Sequence, residues 1–221
     1  IVHACHSHVD IDKFANQPFD AQLSVVTHEV MHCYQQDAAS SGAQVASTPG
    51  WVSEGEATWV QMALVPSAVI DKLQTHWEEY ASHPNTVLFL RRYDAAGFFG
   101  HVADVAGDDA VWPTLIPAYV SGDNESRFTM FVAGHEDAVL DTWAPSYFRS
   151  HDGQFLWDMK GPGKVNMPTA APPAQQIDVP SGAVVALPTV SRWQLSLVKL
   201  ASQADILTVI VPLGHAALID S

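Results

Sequence analysis

The residues best suited to chemistry lie in VVTHEVMHCYQQ, residues 25–36, where His28 and His32 stand four apart with Glu29 beside the first. On an α-helix, positions i and i+4 lie about 40° apart on one face, one turn up. Both imidazoles can therefore point at one metal ion, in the manner of facing zinc ligands. Glu29 sits about 100° round from His28, close enough to touch a metal-held water without ligating the metal. Two ligands and a general base suit metal-assisted hydrolysis. The competing reading is a pair of surface histidines on an amphipathic helix, beside a solvated glutamate.

A catalytic zinc site takes three protein ligands and keeps one position open. WVSEGEATWV, residues 51–60, offers two further carboxylates, Glu54 and Glu56, which point to different faces of a second helix. Glu54 also suits the first turn of that helix simply as an acid facing its dipole. Gly55 is expected to let this helix pack close to the first, and Ala57 to continue the small contact surface.

THEVMH followed by WVSEGEA resembles the gluzincin metallopeptidases of the peptidase MA-like clan. Their pattern is H-E-x-x-H, a connection, then E-G-x-A on an antiparallel helix. The resemblance implies a zincin-like fold, Zn2+ as the cofactor, and a peptide or protein substrate. It also implies His28, His32 and Glu54 as metal ligands and Glu29 as the catalytic acid/base, with no other cofactor. The connection, residues 33–53, is slightly longer than is usual in that family. The extra length falls in a Ser/Ala/Gly stretch, where insertion is cheap.

The match is specific over residues 20–63 and looser to about residue 110, where LRRYDAAGFFGHVADVAG follows. Gluzincins often carry a Y-x-x-G-like helix start whose tyrosine supports the oxyanion. Tyr93 is the candidate here, with Gly97 one place later than that spacing. Its alternative is an ordinary aromatic at the head of a helix, and His101 is a second possible donor. The resemblance leaves open a hydrolase of non-peptide substrates and a non-catalytic zinc-containing binding or scaffold domain, since fold and ligands do not decide substrate.

The elements that position these groups follow from periodicity and punctuation. Residues 1–12 alternate as a strand with its exit turn, and Asp20 fits an N-cap for a helix reaching Gln36. The Ser/Ala/Gly stretch to residue 50 reads as an irregular connection, and residues 51–64 as a helix. Further helices fit residues 68–82, 94–106 with Gly107 as the stop, 111–120, 126–133 and 137–150. The stretch after His151 is rich in Pro, Gly and Ala. Beyond it AVVAL, RWQLSLVKL, ILTVIV and AALID read as strands.

The expected fold is therefore α+β: a mainly helical zincin-like metallopeptidase domain followed by a small all-β module. The expected divisions are residues 1–155, truncated at the N-terminal side, a linker over 156–180, and an incomplete β module over 181–221.

Two cysteines, Cys5 and Cys33, suit either one disulfide or two buried thiols. A bond would pin the N-terminal strand to the motif helix and suit an extracytoplasmic or secreted protein. His3, His6 and His8 form a tempting cluster, but His3 lies on the opposite strand face from the other two. His76, His83, His135, His151 and His215 lack partners at ligand spacing, and the seven Trp residues suit core packing.

The formal charge of −14, with few and scattered Lys and Arg, argues against nucleic acid and anionic membrane surfaces as partners. No apolar run reaches the roughly 18–20 residues that span a bilayer. The opening IVHACHSHVD reads as part of a longer or processed chain.

Overall fold

The computed structural model describes Cys5, residues 10–65, 75, 76, 78–80, 83, 85–140, 142, 175–181, 183, 185, 186 and 198–202. These residues are mostly helical.

α1 (Ile11–Ala15) begins at Asp10, whose side chain accepts from the Lys13 N–H. That cap makes residues 11 and 12 helical rather than the exit of a strand. Residues 1–4 and 6–9 of the expected strand lie outside the described residues.

α2 (Phe19–Ala38) carries the histidine motif. Pro18 holds the cap position expected of Asp20, which falls instead in the first turn, where its charge suits the helix dipole. The connection expected to be irregular contains α3 (Gly42–Ser47). Ser41 Oγ accepts from the Gln44 N–H at 3.2 Å, and Gln44 Oε1 accepts from the Ser40 N–H at 2.7 Å. This near-reciprocal cap satisfies donors that would otherwise be stranded at the helix start.

α4 (Gly50–Leu64) runs through the centre of the helical core and is buried nearly all round, as its high apolar content requires. Gln61 Nε2 donates to Ser24 Oγ, whereas Gln35 Nε2 donates to the Ser53 carbonyl. Early α2 thus meets late α4, so the two helices cross antiparallel. Trp51 anchors the core, stacked on Phe99 at 6.1 Å and donating from its indole to Asn124 Oδ1 at 2.8 Å. Trp59 packs on Trp112 at 4.7 Å.

A 3-10 turn at Leu88–Leu90 and a second at Tyr93–Ala95 lead into α5 (Ala96–Ala106), which stops at Gly107 with φ +90°. The helix expected over 111–120 is broken. α6 (Asp108–Val111) and α7 (Leu115–Val120) flank a 3-10 turn at Trp112–Thr114, where Pro113 lacks the N–H an α-helix needs. α8 (Asn124–Val132) starts on Asp123, which accepts from the Ser126 N–H at 2.9 Å. The expected helices at 68–82 and 137–150 lie largely outside the described residues; residues 75, 76, 78–80, 136–140 and 142 are helical.

Near the C-terminus, β1 (Gln175–Val179) and β2 (Val198–Ser202) pair in parallel, Gln175 opposite Val198 and Val179 opposite Ser202. β1 lies inside the stretch expected to be linker, and β2 overlaps the end of RWQLSLVKL. AVVAL does not begin as a strand. The Ala183 N–H bonds the Pro180 carbonyl at 3.0 Å, closing a turn at that point. The strands expected at 206–211 and 216–220 lie outside the described residues. No helix among the described residues is long and apolar enough to cross a membrane.

Candidate metal centre

The antiparallel crossing of α2 and α4 converges His28, His32 and Glu54. His28 Nε2 and His32 Nε2 are 3.1 Å apart, and each lies 3.3 Å from Glu54 Oε2. Three ligands of one tetrahedral zinc, with bonds near 2.0–2.1 Å, stand about 3.3 Å from one another. The triangle therefore fits a zinc-sized cation, and the donor set of two imidazoles and one carboxylate suits it. Glu54 lies in the second turn of α4, not its first, so its direction reflects helix crossing rather than the helix dipole.

The charges of the centre are coupled. The two imidazoles beside Glu54 hold its carboxyl well below the usual carboxylate range, against the opposing effect of burial. Burial works against charging His32, but bonding to Glu54 and Gln35 and the charges of Glu54 and Glu29 outweigh it, leaving its pKa raised. The Glu29 charge thus acts on His32, although Glu29 is not one of the three converging residues.

Tyr93 lies beside these three residues. Its ring stacks on His28 at 5.9 Å and on His76 at 5.1 Å. Burial and the Glu54 charge raise its phenol above the usual value, so at neutral pH it stays a protonated donor. Arg92 Nη2 approaches Glu54 Oε1 at 3.5 Å, while its guanidinium lies 5.7 Å from the Tyr93 ring centre.

Gly55 does not serve the α2 contact expected of it. A Cβ there would come within 2.8 Å of Ala95 Cβ and 3.0 Å of Phe99 Cε2. Its missing side chain lets the Tyr93–Ala95 turn approach α4. Cys5 and Cys33 form a disulfide, tying the chain at Cys5 to the motif helix. His101 is removed from the centre: it is fully buried, with Nε2 3.1 Å from the Val139 carbonyl. His3, His6 and His8 lie outside the described residues.

Sequence reasoning missed three contributors. His76, read only as lacking a partner at ligand spacing, stacks on Tyr93. Gln35, one turn beyond His32 on the same helix, places Oε1 2.8 Å from His32 Nδ1. Glu56, the rejected ligand candidate, is fully buried and accepts from Gln35 Nε2 at 2.9 Å. Burial pushes the Glu56 carboxyl well above its usual range, opposed by the Gln35 hydrogen bond and the Arg127 charge. A Gln three residues after a ligand histidine on an apolar helix was the available signal for Gln35.

Set against known protein families, curated proteins and solved structures, the chain has no match, and the reading of this centre rests on its own residues and their geometry.

Proposed function

We propose that the chain is a zinc-dependent hydrolase of the metallopeptidase type, acting on peptide bonds, with His28, His32 and Glu54 as the metal ligands. The observation that carries this reading is the 3.1–3.3 Å triangle of ligand atoms, with Glu29 adjacent to His28 in sequence. Zinc held there supplies a Lewis acid that acidifies water toward ~7 and polarises a carbonyl.

Glu29 takes the proton of the attacking water and delivers a proton to the leaving amine. Tyr93, a neutral phenol beside the ligands, donates its O–H to the oxygen on which negative charge develops. The disulfide favours an extracytoplasmic or secreted setting, where such bonds persist. The gluzincin resemblance of THEVMH and WVSEGEA supports the same assignment.

A quenched-fluorescence peptide library, read with and without a chelator, tests the substrate class. Chelator-sensitive cleavage is the expected result. Stoichiometric zinc with no peptide cleaved would overturn the peptidase reading and leave a non-peptide substrate or a binding role.

A further inference from the structure

We infer that Gln35, backed by Glu56, is a positioning residue that locks His32 in the tautomer carrying its proton on Nδ1, leaving Nε2 free to ligate. The inference rests on reading His28, His32 and Glu54 as a metal centre, and adds how one ligand is prepared before the metal arrives.

The argument begins with the amide of Gln35. Its nitrogen carries two hydrogens and its oxygen none. Nε2 lies 3.1 Å from the Ser53 carbonyl and 2.9 Å from Glu56 Oε2. Both donors thus have acceptors, one on the α4 backbone and one on an α4 side chain. Flipping the amide would aim Oε1 at the Ser53 carbonyl oxygen, which has no hydrogen to give, setting oxygen against oxygen in a buried site. Gln35 is 1% exposed and Glu56 0%, so water cannot relieve that repulsion.

The orientation is therefore fixed, and Oε1 must face His32. The 2.8 Å contact with Nδ1 then requires that nitrogen to donate. A neutral imidazole with its proton on Nδ1 presents a bare lone pair at Nε2, the atom in the ligand triangle. His32 Nε2 also faces His28 Nε2 at 3.1 Å and Glu54 Oε2 at 3.3 Å; a His28 Nε2–H can donate to the bare lone pair, and the longer Glu54 contact is shared with His28.

His28 provides the contrast. Its Nδ1 is buried and has no hydrogen-bond partner among the described residues. The two histidines are thus unequal: His32 is oriented by a buried polar chain anchored on α4, whereas His28 rests on the Tyr93 ring. Partners beyond the ligands commonly set the tautomer and basicity of metal-bound histidines. Here an amide does so, braced by a carboxyl group.

Two measurements on the full chain test this. Nitrogen-15 NMR of the metal-free protein at alkaline pH reads the His32 tautomer without needing metal or activity. The expected result is the Nδ1–H form, and an Nε2–H form in the wild type would overturn the inference. Zinc affinity, by competition with a chromogenic chelator, is then compared across variants. Gln35→Met keeps the side-chain length and removes both polar functions, and should weaken zinc roughly 10–100-fold. Glu56→Gln, which still offers an acceptor to Gln35, should lose less.

Gln35→Met that unfolds more easily but binds zinc as tightly as the wild type would show a merely structural role. Wild type that takes up no zinc, with His32 in the Nδ1–H form, would support the lock while removing the metal reading.

Discussion

Gly55→Ala tests how the centre is assembled. Gly55 sits between Glu54 and Glu56, and its α-hydrogens face the turn that carries Tyr93. An added Cβ would lie 2.8 Å from Ala95 Cβ, 3.0 Å from Phe99 Cε2 and 3.3 Å from the Arg92 carbonyl oxygen. Carbon atoms rest at about 3.5–4.0 Å, so the turn must retreat by about 1 Å.

Neither carbon neighbour can swing aside. Ala95 has no rotamer to change, and Phe99 is fully buried against Trp51. Overpacking of this kind costs about 1–3 kcal/mol. Replacing Gly by Ala inside a helix returns about 1 kcal/mol through propensity. The clash cancels or exceeds that gain, leaving a net loss of about 0–2 kcal/mol. Because Tyr93 opens the displaced turn, its phenol moves with it, and a 1 Å misplacement can cost about 10²-fold in rate.

The three ligands stand on α2 and α4 and do not need the turn, so zinc affinity should change only a few-fold. Urea unfolding of the metal-free protein, zinc titration and peptide hydrolysis separate these effects. A Gly55→Ala protein more stable than the wild type and equally active would refute the close approach.

Tyr93→Phe should keep zinc and KM nearly unchanged while kcat falls about 10²-fold, as loss of one oxyanion donor predicts; equal kcat would remove Tyr93 from the mechanism. His101 gives a pH signature. Burial outweighs its bond to the Val139 carbonyl and lowers its folded pKa to about 4, against 6.5 for the free group. As pH falls through that window the unfolded chain takes up the proton first. The contribution is therefore intact above pH 6.5 and declines by about 3 kcal/mol toward pH 4. Urea unfolding between pH 4 and 8 should show this slope, and His101→Gln should flatten it; identical slopes in the two proteins would refute the assignment.

That His28 and His32 share one helix face was legible in the sequence because their spacing follows the helical period. His28, Glu29 and His32 lie within about one turn of a single helix, so their geometry follows from spacing alone. Glu54 was different. Helical phase separates it from Glu56, but only the E-G-x-A resemblance chose between them, since the angle at which two helices cross is set by packing. Gly55 shows the same limit. A small residue announces a close approach, yet the sequence does not say whether the visitor is α2 or the Tyr93 turn.

Gln35 and Glu56 were overlooked because a buried hydrogen-bond chain has no periodic signature and draws its members from two helices. The helix at Gly42–Ser47 was hidden by loop-like composition, although Ser41 and Gln44 carried a capping signal at the right spacing. β1 was missed because Ile177 and Val179 give a short alternation, bounded by Pro180 and preceded by a Pro/Ala-rich stretch.

The most direct test compares zinc-loaded wild type with Glu29→Gln, measuring bound zinc and peptide hydrolysis in the same samples. Glu29 is not one of the three ligands, so both proteins should hold one equivalent of zinc, and only the wild type should cleave peptides, by a margin of orders of magnitude. Hydrolysis that survives in Glu29→Gln, or zinc lost from it, would contradict the division of labour between two histidines with Glu54 holding the metal and Glu29 moving the proton.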